Sequence, residues 1–314
     1  MNGQDGAYLA RFLLEKGYSV IGTSRDATAA TFHNLLGLGI REKVRTASLA
    51  PNDFRSVLAT LKRYAPDEIY NLSGQSSVGL SFEQPVETME SIAIGTLNFL
   101  EAIRFMERPM RFYNAGSGEC FGDTGNERAT EESPFHPRSP YAVAKASAHG
   151  LVANYRDAYG IFSCTGILFN HDSPLRPERF VTTKIVRAAA RIAGGSTEKL
   201  RLGNVTVQRD WGWAPEYVEA MWRIMQQQAA DDFLIATGRT TSLEHFVARA
   251  FENFRLDWRD HIQVDKNLFR PSDIETSRAN PEKAYRILGW KSKMDVDQVV
   301  EAMCRSEVQR IKAM

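Results

Sequence analysis

The sequence predicts an α/β protein built on a doubly wound parallel sheet (Rossmann-like), with a smaller C-terminal substrate-binding portion. Short apolar stretches alternate with amphipathic stretches of helical period along the first part of the chain. Small and polar residues follow several apolar stretches, as they do where parallel strands end at a ligand-binding edge. The alternation loosens from about residue 179. We therefore expect a dinucleotide-binding domain over residues 1–170 and a second portion over residues 171–314, some segments of which return to the first domain.

The composition is that of an ordinary globular protein. The chain has 314 residues, of which 43% are hydrophobic and 25% charged, and a formal net charge of +1. This balance gives no reason to expect nucleic acid or a membrane as a partner. Cys120, Cys164 and Cys304 lack metal-ligand spacing, so we expect free thiols and no metal. Since no apolar run of about 18 residues and no signal-peptide pattern occur, we expect a cytoplasmic protein.

The chain opens on a glycine turn that leads into a helix. Gly3 and Gly6 flank Gln4 and Asp5, and apolar residues then recur at helical spacing as far as Gly17. A dinucleotide-binding fingerprint has a strand before such a turn and a further glycine inside it. Because the sequence begins within the turn, we expect that the first strand is missing and that the natural start lies upstream. The alternative is a solvated turn that binds nothing.

A second strand, over residues 18–23, is followed by Arg25. At this place in a dinucleotide-binding unit an acidic residue suits a ribose 2′-hydroxyl, whereas an arginine suits a 2′-phosphate. Arg25 therefore favours NADP, the alternative being a surface arginine. Next come a helix capped by Asp53 and a strand over residues 68–72. The small polar residues 73–77 after this strand let a cofactor approach the backbone.

A long helix over about 86–105 precedes a strand over residues 111–115. This strand leads to Ser117 and Glu119, which place a hydroxyl and a carboxylate at its C-terminal end. In open α/β sheets ligands bind at that edge. Small residues on either side of Ser117 leave room for a ligand. We therefore expect the reaction centre at this point.

A second helix carries a pattern suited to acid–base chemistry. Ser139 followed by Pro140 is typical of a helix N-terminus. Tyr141 and Lys145 then share one helix face at i and i+4. A free tyrosine titrates near pH ~10, and a nearby ammonium lowers that pKa. The pair is therefore a plausible acid–base device for a hydroxyl, and a solvated polar face is the alternative.

The C-terminal part of the chain is rich in cations. An apolar strand over residues 161–169 ends at Asn170 and His171, where the histidine is either a base or a structural contact. Helices are expected from residue 180, around 243–251 and from 295. Lys184, Arg209 and Arg270 could converge on a diphosphate, since arginine forks suit phosphate oxygens. The alternative is that they are ordinary surface charges.

Together these residues resemble the extended short-chain dehydrogenase/reductases, and within them the GDP-mannose 4,6-dehydratases. The resemblance covers essentially the whole chain. It rests on Asn2-Gly3-Gln4-Asp5-Gly6-Ala7-Tyr8-Leu9, Tyr70-Asn71-Leu72, the Tyr141/Lys145 pair, Leu168-Phe169-Asn170-His171 with Pro174-Leu175-Arg176, and Arg209-Asp210-Trp211-Gly212.

The resemblance implies a full set of site residues, with NADP as cofactor and GDP-mannose as substrate. The implied cofactor contacts are Gly3, Gln4, Asp5, Gly6, Arg25, Ser48, Leu49, Leu72, Ser73, Gln75, Ser76, Tyr141, Lys145, His171 and Arg176. The implied nucleotide-sugar contacts are Asn170, Lys184, Arg209, Arg270 and Asp273. Tyr141 would take the 4-hydroxyl proton, Lys145 would lower its pKa, Ser117 would orient the 4-oxygen, and Glu119 would remove the C5 proton. A homodimer or homotetramer is expected.

Three positions depart from the resembled pattern. Asp26 stands where a second arginine is usual, Ala47-Ser48-Leu49 where an Asp-Leu pair is usual, and Gly118 where a serine is usual. Without that serine, Glu119 or water has to protonate the departing hydroxyl.

Glu119 separates the alternative functions. A related epimerase or 4-keto-reductase needs no carboxylate as C5 base, so Glu119 favours dehydration. A catalytically silent NADP-binding protein is the third alternative, and the intact set of Ser117, Tyr141 and Lys145 argues against it.

Overall fold

A computed structural model describes residues 1–312 of the chain. The predicted second portion ends at residue 314, so its last two residues lie outside this range. The helices are α1 (Gln4–Glu15), α2 (His33–Gly37), α3 (Phe54–Tyr64), α4 (Val78–Glu83), α5 (Pro85–Met89), α6 (Gly95–Met106), α7 (Pro140–Tyr159), α8 (Val181–Ala193), α9 (Ala214–Met225), α10 (Leu243–Glu252), α11 (Glu282–Leu288) and α12 (Val296–Lys312). The strands are β1 (Ile21–Ser24), β2 (Arg45–Ser48), β3 (Glu68–Asn71), β4 (Arg111–Ser117), β5 (Ser163–Leu168), β6 (Asn170–Asp172), β7 (Leu200–Leu202), β8 (Gln208–Trp213), β9 (Phe233–Ile235), β10 (Thr240–Ser242) and β11 (Ile262–Val264).

The N-terminal part is a parallel α/β assembly. Strands pair in the order β3-β4-β5-β9, and β1 pairs with β2, all in parallel. Asn71 lies opposite Asn114, and Ser117 lies opposite Leu168, so the carboxyl ends of β3, β4 and β5 meet at one edge. The predicted doubly wound α/β class is confirmed. Met1 lies beside β1, where its amino group donates to the Thr23 carbonyl at 2.9 Å.

Helices cover both faces of the sheet because neighbouring strand residues point to opposite sides. Phe112 packs with α3 and α6, whereas Tyr113 packs with α1 and α9, and both side chains are fully buried. A separate apolar cluster joins α8, α10 and α12 in the C-terminal part. Within residues 1–312 no helix has the length and apolar character needed to span a membrane.

The chain changes sheets after β5. The Phe169 N–H donates to the Ile235 carbonyl at 2.9 Å, and Asn170 then begins β6, which pairs with β8 in the sheet β10-β8-β6. The expectation that Asn170 and His171 end the strand over 161–169 is therefore wrong. They belong to a second sheet, which carries Arg209 on its central strand.

Most predicted elements are confirmed, with two local differences. Asp53 and Ser139 accept hydrogen bonds from the N–H groups of Arg55 at 2.9 Å and Ala142 at 3.1 Å, as N-caps do. The helix predicted over 86–105 is interrupted by a π-helical segment, Glu90–Ile94. Phe54 shares the apolar helical spacing of Val57 and Leu61 in the sequence, yet it is exposed because it is the first residue of α3.

Gly212 lets α9 pack against β8. A Cβ atom at Gly212 would lie 2.3 Å from the Tyr217 ring. Tyr217 is fully buried and also stacks on the His171 ring, with centroids 4.5 Å apart. The glycine in the Arg209-Asp210-Trp211-Gly212 motif is therefore a packing requirement.

We expect Gly212→Ala to destabilise the protein by about 1–3 kcal/mol, because the methyl group overpacks a buried site. Thermal unfolding measures the loss. Gly150→Ala is the matched control, since Gly150 lies inside α7, is exposed and has no atom within 4 Å of the place that a methyl group would take. The control should gain about 0.5–1 kcal/mol from helix propensity. Equal stability of Gly212→Ala and the parent would contradict this account.

Candidate active site

The catalytic candidates meet at the carboxyl end of β4. Ser117 is the last residue of the strand and Glu119 lies in the 3₁₀ turn Gly118–Phe121. The Ser117 hydroxyl is buried and accepts a hydrogen bond from the Glu119 N–H at 3.3 Å. The Glu119 side chain is partly exposed. The turn therefore holds a hydroxyl and a carboxylate at fixed spacing beside the ligand-binding edge.

Helix α7 brings Tyr141 and Lys145 to the same edge. The Lys145 ammonium donates to the Ala115 carbonyl of β4 at 2.7 Å and lies 5.8 Å from the centre of the Tyr141 ring. Burial lowers the pKa of Lys145 to about 8. At neutral pH this lysine is therefore mainly charged.

The expected lowering of the Tyr141 pKa is wrong for this structure. Burial raises the pKa of Tyr141 above its ordinary value, and the hydrogen bond with the Ser117 side chain opposes the rise only in part. The positive charge of Arg176 also acts to lower it. The phenol therefore stays protonated at neutral pH, because desolvation of a phenolate outweighs these contacts.

The glycine turn is the N-terminus of α1. Gly3 is the N-cap and supplies no side-chain cap, so the first backbone N–H groups of the helix have no acceptor within it. Gly3 is exposed and Gly6 is buried. The side chains of Gln4 and Asp5 do not extend to solvent but contact the segment after β5. The free N–H groups suit a phosphate.

His171 is held between two acceptors. Its Nδ1 lies 2.8 Å from the Phe169 carbonyl and its Nε2 lies 3.1 Å from the Asp5 carboxylate. Burial opposes the charged imidazole, but Asp5 outweighs it, and the pKa of His171 lies above its ordinary value. Burial likewise acts to raise the pKa of Asp5, yet the His171 charge and hydrogen bond bring it below its ordinary value. The two groups form a buried ion pair.

Arg25 lies at the end of β1, where the sequence places it for a 2′-phosphate. Its guanidinium is 77% exposed and pairs with Glu87 at 3.4 Å. Asp26 accepts hydrogen bonds from the N–H groups of Thr28 and Ala29 and so shapes the turn. The Ser48 hydroxyl accepts from the Ala27 N–H at 3.0 Å, and Leu49 is buried.

The loop after β3 packs closely on the π-helical segment. Gly74 has a φ of +106°, and a Cβ there would lie 2.7 Å from Ile92. Ser73 donates to Asn71 at 2.5 Å, and Gln75 donates to the Ser77 carbonyl at 2.7 Å. Leu72 is partly exposed and Ser76 exposed, at the carboxyl edge of the sheet beside β4.

The structure brings together only part of the predicted cation set. Arg209 is buried in β8, and both Arg209 and Arg270 lie near Asp273, at 3.5 and 3.6 Å. Burial lowers the pKa of Arg209, while the charges of Glu119 and Asp273 act to raise it. The charge of Glu119 therefore acts on Arg209. Lys184 instead donates to the Arg201 carbonyl at 2.7 Å.

Asn170 and Arg176 flank the His171 segment. Asn170 is partly exposed and pairs with Trp211 of β8. Arg176 donates to the His171 carbonyl at 2.6 Å and contacts Asp172 at 3.1 Å. Both residues lie beside the boundary between the two sheets.

Gly118 faces an apolar cluster. A Cβ at Gly118 would lie 2.8 Å from the ring of Phe169, which is buried and stacks on Phe121. A serine side chain at this position would therefore enter the cluster. In this chain Glu119 has no hydroxyl-bearing neighbour at position 118.

Sequence reasoning missed Asp210. It is fully buried and accepts hydrogen bonds from the N–H groups of Thr237 at 2.9 Å and Arg239 at 3.0 Å. Burial raises its pKa to about 6. An acidic residue directly beside Arg209 and before Trp211-Gly212-Trp213 is the signal that could have identified it.

A family model described as GDP-mannose 4,6 dehydratase matches residues 1–303. GDP-mannose 4,6 dehydratase 1 of Arabidopsis thaliana is 42% identical over 99% of this chain and 89% of its own length. A GDP-mannose 4,6-dehydratase of Sinorhizobium fredii is 40% identical over 99% of this chain and 96% of its own length. The crystal structure of a dTDP-glucose 4,6-dehydratase from Bacillus anthracis in complex with NAD superposes with a TM-score of 0.86 at 17% identity, covering 99% and 95% of the two chains.

The fold and the arrangement of Ser117, Tyr141 and Lys145 define an extended short-chain dehydrogenase/reductase. Because the family model and relatives above 30% identity span nearly the whole chain, the chain belongs to the GDP-mannose 4,6-dehydratase family. The predicted family, its hydro-lyase class and NADP as its cofactor are confirmed.

We expect Gly118→Ser and Gly118→Ala to lower stability alike, by about 1–3 kcal/mol, because the clash with Phe169 arises at Cβ. Thermal unfolding of both variants measures this. If Gly118→Ser were as stable as the parent while Gly118→Ala were not, the serine hydroxyl would have found a polar partner and the apolar account would be wrong.

Proposed function

We propose that this chain converts GDP-mannose to GDP-4-keto-6-deoxymannose with loss of water. The observation that carries the proposal is the position of Glu119, which lies two residues after Ser117 at the edge of β4 and whose charge acts on Arg209. A carboxylate here supplies a base for the sugar, and Arg209 with Arg270 supplies cations for a nucleotide diphosphate. Membership of the family supports the substrate.

We assign the first proton transfers to the residues of β4 and α7. Tyr141 takes the proton of the sugar 4-hydroxyl, and Ser117, hydrogen-bonded to Tyr141, orients the 4-oxygen. Tyr141 first releases its own proton to solvent, and the positive charges of Lys145 and Arg176 favour the phenolate that then accepts the sugar proton. Bound NADP would supply the hydride chemistry, as acceptor from C4 and later as donor to C6. Oxidation at C4 makes the C5 hydrogen acidic.

Glu119 then completes the elimination. Its carboxylate removes the C5 proton, and the C6 hydroxyl leaves with a proton as water. Because Gly118 faces Phe169, the protonated Glu119 carboxyl is the group on this turn that can supply the leaving-group proton. A proton from solvent returns to C5 as C6 receives the hydride, which balances the proton that Tyr141 first released.

The chain's residues fit a dinucleotide. The N-terminus of α1 offers free N–H groups for the diphosphate, and the exposed Arg25 offers a cation for a 2′-phosphate. Lys145 would hold the nicotinamide ribose, and the loop from Ser73 to Ser76 would line the cofactor. These backbone N–H groups and cations, together with the loop after β3, are the features that suit a dinucleotide.

We further propose a cytoplasmic homodimer or homotetramer with the division into residues 1–170 and 171–314. Val86, Ile94, Phe105 and Val143 are exposed apolar side chains on the α5–α7 side and support self-association. Light scattering on the purified protein tests the oligomeric state.

A single incubation with GDP-mannose and catalytic NADP⁺ tests the function. We expect a product lighter by one water and no net NADPH. Glu119→Gln should lower the rate by about 10²–10⁴-fold, because the C5 base is lost, and should leave C4 oxidation possible. Mass spectrometry of the product and NADPH absorbance measure these outcomes.

Glu127→Gln, an exposed carboxylate in the following loop, is the control and should keep full activity. Full activity of Glu119→Gln would show that Glu119 is not the base that removes the C5 proton. Reduction of a 4-keto sugar with consumption of NADPH, in place of dehydration, would favour the reductase alternative.

The pKa of Lys145 predicts a pH dependence. Because burial lowers this pKa to about 8, the ammonium loses its proton above that pH, and kcat/KM should fall from pH 8 to 10. Lys145→Arg should be slower overall but should lack this fall, because arginine stays charged. A fall near pH 8 that persists in Lys145→Arg would assign it to another group.

A further inference from the structure

The first turn of α1 carries a negative charge where a diphosphate would bind. Asp5 lies in this turn, next to backbone N–H groups without an acceptor in the helix. A helix N-terminus attracts phosphate, but a free carboxylate within the same turn repels it. The turn therefore needs a compensating cation if it is to hold a dinucleotide.

The geometry at His171 supplies that cation. A carbonyl oxygen can only accept, so the 2.8 Å contact with Phe169 requires a hydrogen on Nδ1. An ionised carboxylate also only accepts, so the 3.1 Å contact with Asp5 requires a hydrogen on Nε2. With both nitrogens protonated the ring is an imidazolium. The raised pKa of His171 agrees with this protonation state.

Neighbouring side chains keep His171 in this position. Gln4 donates to the His171 carbonyl at 2.9 Å and accepts from the Ser173 hydroxyl at 2.7 Å. Arg176 donates to the same carbonyl at 2.6 Å. The Tyr217 ring stacks on the imidazole at 4.5 Å between centroids. Several hydrogen bonds therefore join the segment after β5 to the start of α1.

Other titratable and charged groups surround the Asp5–His171 pair, and some of them have partners of their own. The titratable and charged groups around it are Arg176 and Asp172 on the His171 segment, Tyr217 of α9, Tyr113 of β4 and Lys145 of α7. Arg176 and Asp172 contact each other at 3.1 Å. Lys145 donates to the Ala115 carbonyl, which leaves His171 as the group in direct contact with the Asp5 carboxylate.

We propose that His171 is a positioning residue whose imidazolium cancels the charge of Asp5 and so lets the N-terminus of α1 accept the diphosphate of the dinucleotide. This inference rests on the proposed cofactor site. It requires that cofactor affinity stay constant while His171 is protonated and fall when the ring loses its proton at higher pH. The fall should come above the ordinary histidine pKa of about 6.5.

A double-mutant cycle on the full chain tests the charge compensation. The readout is the NADPH dissociation constant, from fluorescence titration at pH 7. We expect His171→Gln to weaken binding by about tenfold or more, because Asp5 loses the cation in direct contact with it. Asp5→Asn should bind NADPH at least as well as the parent. The double variant should recover to within about threefold of the parent, because both charges are gone.

A purely structural role predicts the opposite pattern. If the two changes were independent losses, their effects would add and the double variant would bind worst, which would overturn the proposal. His245→Gln is the control, because His245 pairs with Asp297 at 2.7 Å between α10 and α12 and should not affect binding. Circular dichroism checks that each variant is folded.

A second measurement needs no variant of the buried pair. NMR of the imidazole signals of the unaltered protein gives the His171 titration midpoint, and NADPH binding is measured over the same pH range. The proposal expects the two midpoints to coincide. A neutral His171 at pH 6.5 would overturn it. Failure of the unaltered protein to bind NADPH would overturn the cofactor site itself, which distinguishes the two failures.

Discussion

The hydrogen bond from the Lys145 ammonium to the Ala115 carbonyl sets the geometry on which the active site depends. It joins α7 to β4 across a buried contact of 2.7 Å, and so fixes Tyr141 against Ser117. Burying an ammonium is unfavourable unless it has a partner, and the carbonyl provides one. The same burial that lowers the pKa of Lys145 raises that of Tyr141. The site is therefore a neutral phenol beside a cation, and its base strength depends on the cations around it.

The passage of the chain between two sheets connects the cofactor and substrate portions. Between Leu168 and Asp172 the backbone leaves β5, bonds β9 through Phe169, and enters β6 beside β8. The same few residues carry His171 to the start of α1. A displacement of the sheet that bears Arg209 would therefore also move the helix N-terminus proposed for the diphosphate. This short segment therefore links the two sheets directly.

Local patterns predicted most of the fold and the placement of Ser117, Tyr141 and Lys145 at one sheet edge. Helix caps at Asp53 and Ser139, the shared face of Tyr141 and Lys145, and the polar ends of parallel strands all depend on residues close in sequence. The contact between Asp5 and His171 spans 166 positions and depends on a change of sheet that no local pattern encodes. The raised pKa of Tyr141 could not be predicted from the sequence either, because tertiary burial sets it and not the spacing of two residues.

The apolar cluster under Gly118 explains why one carboxylate can suffice. A side chain at position 118 would meet Phe169, so Glu119 is the polar side chain that the turn after Ser117 presents. In the proposed mechanism base and acid are then the same group used in succession, since the proton taken from C5 is available for the departing hydroxyl. Arg209 is buried, and the charges of Glu119 and Asp273 both favour its charged form. Under this proposal, protonation of Glu119 would weaken that attraction and leave Arg209 to the substrate diphosphate.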